Sequence, residues 1–145
     1  MSRDYPTNRD DIIDSRDVIR RIRELENERD THKDATETYA EENNLPFNAE
    51  AEQEAWEDSE EGRELATLQA LADDADGYAE DWKYGCTLIR DSYFERYAQD
   101  LAADIGALDK CTPWPATCID WEKAADELKQ DYTSVEFDGE TYWVR

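Results

Sequence analysis

The chain has 145 residues, enough for one domain with a substantial core. Its 39 acidic and 16 basic residues give a formal net charge of −23. That sign excludes a bare phosphate-backbone binder, which needs clustered Lys and Arg to release counterions, and suits a protein whose partner itself binds nucleic acid.

The charge is unevenly placed. Residues 34–82 hold 17 acids and a single base, Arg63, whereas residues 1–33 are almost balanced, with 9 acids and 8 bases. Five Trp and eight Tyr, mostly in the second half, predict a folded C-terminal region rather than an acidic coil. The opening MSRDYPTNRD has no apolar run or small-residue cleavage site, so no secretory signal is expected. No stretch is apolar for long enough to span a bilayer, and no membrane partner is expected. Three cysteines without CxxC spacing (Cys86, Cys111 and Cys118) fit a reducing host cytoplasm.

In chain order, residues 15–42 predict one long helix. Ser15 is the expected cap, Asp17 favours the positive end of the dipole, and Val18, Ile22 and Leu25 form the apolar stripe. The stripe fades beyond Leu25, and Asn43-Asn44-Leu45-Pro46 ends the helix. Asn48 or Ser59 restarts it, with Ser59 the better cap because Glu60 and Glu61 come next in its first turn. Leu65, Leu68, Leu71 and Ala72 then give a stripe able to pair with Val18–Leu25.

Asp76-Gly77 closes that segment, and residues 78–91 read as a linker whose aromatics pack on the C-terminal domain. Ser92, with Glu95 three residues later, predicts a capping box and a helix stopped by Gly106. Thr112-Pro113-Trp114-Pro115 reads as an extended connector. Asp120 caps a last helix with Trp121, Ala124, Ala125 and Leu128 inward. Asp138-Gly139 is a two-residue turn signal, which sets Phe137 opposite Glu140, Val135 opposite Tyr142 and Thr133 opposite Val144. The expected fold is α+β, mostly α. An acidic antiparallel helical hairpin (1–77) and a linker (78–91) precede a small domain (92–145) of two helices and a C-terminal β-hairpin.

Catalytic chemistry is hard to place. His32 is the only histidine, on a charged helix and far from every cysteine in sequence, so no Ser/Cys–His pair can be drawn. Asp73-Asp74-Ala75-Asp76-Gly77 lacks the ligand order of a calcium loop. Cys111 and Cys118 have no second pair and read as buried small side chains rather than zinc ligands. No cofactor, metal or catalytic residue is expected, and the chain reads as a non-enzyme. Trp82, Trp114, Trp121 and Trp143 read as core. Trp56, with only Ala51 and Ala55 as apolar neighbours, reads as a candidate exposed anchor for a partner.

The stretch EAEQEAWEDSEEGRELA, residues 50–66, carries eight acids and one arginine. As one helix, residues 48–66 would extend about 28 Å, over which duplex DNA carries roughly 16 phosphates. With residues 34–42 and 73–81 alongside, the charge density approaches that of a duplex. The expected phosphate mimics here are Glu50, Glu52, Glu54, Glu57, Asp58, Glu60, Glu61, Glu64, Asp73, Asp74 and Asp76.

SYFERYAQDLAADIGAL and PATCIDWEKAADELKQDYTSVEFDGETYWV, with Ile119-Asp120-Trp121-Glu122 followed by Ala125, Leu128, Asp131 and Tyr132, resemble the C-terminal region of ArdA-type antirestriction proteins. Those are elongated acidic proteins of phages and mobile elements that mimic bent B-form DNA. They occupy the DNA site of type I restriction–modification enzymes. The resemblance covers about residues 92–145 and implies that Asp120, Glu122, Asp126, Glu127 and Asp131 are further phosphate mimics. The family's two N-terminal domains are not recognisable, and the helical hairpin stands in their place. The expected partner is therefore a basic DNA-binding defence protein of the host, a restriction–modification complex first and a CRISPR effector next, with no direct nucleic-acid contact. The alternative is a non-catalytic hairpin adaptor whose apolar stripe dimerises, its acidity serving only solubility.

Overall fold

The structure is a computed structural model and describes residues 5–106, 114 and 116–145. The fold is α+β and mostly helical. Among the described residues, five α-helices run over Ser15–Glu42 (α1), Ala49–Asp58 (α2), Glu60–Asp76 (α3), Phe94–Asp104 (α4) and Trp121–Lys129 (α5). The strands among them are Ile12–Asp14 (β1), Thr87–Arg90 (β2), Thr133–Phe137 (β3) and Glu140–Val144 (β4). They form one antiparallel sheet in the order β1-β2-β4-β3.

Alternation along the strands splits the core into two layers, because successive side chains leave opposite faces. Ile13, Leu88, Val135, Phe137, Tyr142 and Val144 meet Val18 and Leu25 of α1 and Leu65, Leu68, Leu71 and Ala75 of α3. Ile89 and Trp143, one residue out of phase, face the other way onto Phe94 and Ala98 of α4 and Ala125 and Leu128 of α5. The sheet thus separates α1 and α3 from α4 and α5. The stripes of α1 and α3 are consumed inside the chain: Val18, Leu25, Leu68 and Leu71 are all 0% exposed.

The helical hairpin is present, with contacts running antiparallel from Ser15–Trp82 through Arg21–Glu64 to His32–Glu52. Arg21 on α1 holds Glu64 on α3 through two bonds, Nε to Oε2 at 2.7 Å and Nη2 to Oε1 at 2.9 Å. The β3–β4 turn has the expected register, Phe137 opposite Glu140, Val135 opposite Tyr142 and Thr133 opposite Val144. Asp138 and Gly139 both take positive φ, 50° and 84°, as a two-residue turn between twisted strands demands.

Several expectations need correction. Residues 78–91 are not a spacer: β2 lies between β1 and β4, and Ala79, Trp82 and Leu88 join the larger core. Ser15 does not cap α1; Asp14 does, accepting from Arg16 N, while Ser15 is fully buried. Its Oγ donates to Trp82 O at 2.9 Å and accepts from Cys86 N at 2.7 Å, tying the start of α1 to the turn before β2. The Ser92–Glu95 capping box does not form, because Asp91–Tyr93 is a 3₁₀ turn and α4 begins at Phe94 without a side-chain cap. Cys118 is exposed rather than buried. Cys111 and all but Trp114 of the expected Thr112–Pro115 connector lie outside the described residues, and Trp114 itself is 71% exposed, not core.

Candidate partner-binding surface

The acidic stretch is two helices rather than one. Asn48 caps α2 by accepting from Glu50 N and Ala51 N, and Ser59 caps α3 by accepting from Gly62 N at 3.1 Å. Both alternative helix starts are therefore used. Between the helices the chain turns at Ser59, which is extended at φ −74° and ψ 161°. Its N–H and hydroxyl both donate to the Trp56 carbonyl, at 3.0 and 2.5 Å. The single straight rod of about 28 Å is thereby replaced by a corner with α2, about 15 Å long, on one arm.

Helical spacing sorts the α2 side chains. Ala49, Glu52, Gln53 and Trp56 line a small void with Arg29 and Lys33 of α1, and this is the inner side. Glu52 is spent there, against His32 Nδ1 at 2.5 Å. Glu50, Glu54, Glu57 and Asp58 are exposed on the remaining faces, and Glu60 and Glu61 continue the exposed acids past the corner. Duplex DNA spaces one phosphate per strand every 3.4 Å of axis, hence about four over the length of α2. Four exposed carboxylates occupy the same length here.

Among the described residues, no ion pair reaches Glu50, Glu54, Glu57, Asp58, Glu60, Glu61, Asp73, Asp74 or Asp76. Glu57 accepts only the neutral amide of Gln53, at 3.0 Å. Glu64 is spent on Arg21, and Asp73, Asp74 and Asp76 are exposed at the far end of α3.

The C-terminal set stands apart. Asp120, Glu122, Asp126, Glu127 and Asp131 are exposed on or beside α5, in the layer across the sheet from α2 and α3. The two sets do not form one ribbon. Asp120 also has a structural task, capping α5 by accepting from Lys123 N at 3.1 Å.

Trp56 is corrected from protruding anchor to half-buried residue packed on the larger core. It still reaches the surface, where it lines an open cleft of about 450 Å³ with Glu28, His32, Ala55, Ser59 and Glu61.

No family model, no curated protein and no solved structure matches this chain. Among the described residues, no three or more His, Cys, Asp or Glu side chains are placed to hold a metal ion. No helix among them is long and apolar enough to cross a membrane.

Proposed function

We propose that this chain is an acidic DNA mimic that inhibits a bacterial nucleic-acid-binding defence enzyme by occupying its basic groove. A type I restriction–modification complex is the first target and a CRISPR effector the next. The supporting observation is the exposed, unpaired acidic surface of α2 and the α2–α3 corner.

Helix stability accounts for Glu50, Glu60 and Glu61, which favour the positive ends of α2 and α3, but not for Glu54, Glu57 and Asp58. Glu50–Glu54 and Glu54–Asp58 are like charges at i,i+4, each destabilising by about 0.2–0.5 kcal/mol. The last turns of α1, α2 and α3 contain no base, although acids sit there in each: Glu41 and Glu42, Glu57 and Asp58, Asp73, Asp74 and Asp76. An acid at the negative end of a helix dipole costs roughly 0.3–1 kcal/mol. Solubility alone requires charge but not charge placed against the helices that carry it. A rigid array facing a Lys/Arg-lined groove does require it, and such an encounter is fast and salt-sensitive. The adaptor reading loses its contact surface, because the stripe it would dimerise through is covered within the chain.

The test replaces Glu50, Glu54, Glu57 and Asp58 together by Lys. Lys at 57 and 58 relieves the dipole term at the last turn, and Lys at 50 gives up a favourable one at the first. The i,i+4 pairs reverse their charge but repel as before, so stability stays within about 1 kcal/mol of the parent while inhibition in a DNA-cleavage assay is lost. Inhibition equal to that of the parent chain removes α2 from the mechanism.

A further inference from the structure

The cleft over Trp56 goes beyond the proposed mimicry, which treats Glu61 only as one outward carboxylate of the corner and gives Trp56 no task. Its walls come from three helices. Glu28 and His32 are on α1, Ala55 and Trp56 on α2, and Glu61 on α3, with Ser59 at the corner. The lining thus contributes an indole, a methyl group and two carboxylates. Neither Glu28 nor Glu61 has an ion-pair partner among the described residues.

His32 completes the pattern. Glu52, as a carboxylate, can only accept, so the 2.5 Å contact places the proton on Nδ1 of the imidazole. In the neutral ring that leaves Nε2 as an acceptor. An aromatic face, two carboxylates and, on the neutral ring, a further acceptor, with no Lys or Arg in the lining, complement a planar cation with several donors. At about 450 Å³ the cleft is large enough for one long side chain and its flanking backbone.

We infer that the cleft between α1, α2 and α3 is a receptor for an arginine side chain of the basic partner. The guanidinium stacks on Trp56 and donates to Glu28 and Glu61. Arginine fits better than lysine because its flat fork can stack on the indole and reach two carboxylates at once, whereas an ammonium is a compact, strongly hydrated point charge. This inference rests on the proposed basic partner and supplies what a uniform charge array lacks: a desolvated anchor that fixes register. The corner itself makes the site, since only the turn at Ser59 brings Glu61 of α3 beside Trp56 of α2.

The experiment titrates the isotopically labelled full chain with acetyl-Gly-Arg-Gly-amide at low salt and follows the Trp56 indole N–H by NMR. That signal is assigned by its disappearance in Trp56→Phe. The citrulline peptide, equal in shape but neutral, and the lysine peptide serve as comparisons. The arginine peptide is expected to shift the Trp56 signal, the lysine peptide to shift it less and citrulline not at all. The double variant Glu28→Gln, Glu61→Gln, altered only at exposed positions, weakens arginine binding roughly tenfold. An equal response to citrulline, or no response at Trp56, overturns the inference. Arginine binding in a chain that inhibits no DNA-cleaving enzyme sustains the cleft and overturns the mimic. Inhibition without an arginine response does the reverse.

Discussion

Gly62 of α3 rests directly against the backbone carbonyl of Trp56 in α2. A Cβ at position 62 would lie 1.8 Å from that oxygen and 2.6 Å from its carbon, too close for any side chain. The glycine that looks like a weakness inside an acidic helix is what allows α2 and α3 to close into a corner.

Gly62→Ala therefore has no flexible neighbour to displace, because the obstructing atoms are backbone. The corner must open, with a loss of about 3 kcal/mol, toward the upper end of what overpacking costs. For a chain of this length that corresponds to a fall in Tm of roughly 10 °C. Because α2 moves, the Trp56 indole signal shifts as well. A variant with parental Tm would show that the corner tolerates a side chain at position 62.

Ser15→Ala removes a buried hydroxyl that both donates to Trp82 O and accepts from Cys86 N. The orphaned groups lie where the start of α1 meets the turn before β2. A loss of about 2–3 kcal/mol is expected from urea unfolding, with an unchanged m-value. A loss below about 0.5 kcal/mol, typical of a surface substitution, would mean that water replaces the hydroxyl there.

Asp91 accepts from the Trp143 indole at 2.9 Å and from Lys129 at 3.0 Å, and these bonds, the indole first, hold its carboxyl below the usual carboxylate range. A depressed carboxylate contributes stability that is present above its unfolded value and lost as pH falls through the folded one. Between neutral pH and the acid limb the parent therefore loses more stability than Asp91→Asn does. Parallel stability–pH curves for the two chains would contradict this linkage. Lys129 also sits 5.4 and 5.2 Å from the Phe94 and Trp143 ring centres, so Asp91 anchors a small cluster rather than an isolated pair.

At the alkaline end the sign reverses. Burial pushes the Tyr142 phenol up to about 12, and burial followed by the hydrogen bond to Tyr97 does the same for Tyr132. A phenol raised above its ordinary value of about 10 keeps its full contribution below that pH and loses it as pH climbs toward the folded value. Ultraviolet titration of the native chain should show a late phenolate component near pH 12 that vanishes in urea. Superimposable curves would refute the burial of both phenols. Tyr142 also donates to Thr7 O and Asp10 O, so its ionisation releases the turn leading into β1.

Cys86 and Cys118 should separate cleanly toward a thiol reagent. Burial pushes the Cys86 thiol up, whereas Cys118 is exposed. Fast labelling at Cys118 and slow labelling at Cys86, the latter accelerated by Ser15→Ala, is the expected peptide map. Equal rates would argue that the turn before β2 opens readily.

Where neighbours in the chain decide the outcome, the sequence was mostly sufficient, the Ser92–Glu95 capping box being an exception. The stripes of α1 and α3, the caps Asn48, Ser59 and Asp120, and the register around Asp138-Gly139 all depend on residues a few positions apart, and all are found. Strands β1 and β2 escaped notice for the opposite reason. Leu88 and Ile89 are both fully buried because β2 has a helical layer on each side, so no alternation marks it as a strand. Its partners, Ile13 and Trp143, lie far away in sequence. Tertiary structure likewise moved Ser15 from cap to buried tie and bent the acidic rod at Ser59, with Gly62 packed against Trp56. It also sent the acids of α5 to the opposite layer from those of α2. The sequence alone set how much negative charge the chain carries and on which helices. Which carboxylates share a surface was decided only by the packing of those helices against one sheet, because facing is a property of contacts that the chain makes over distance.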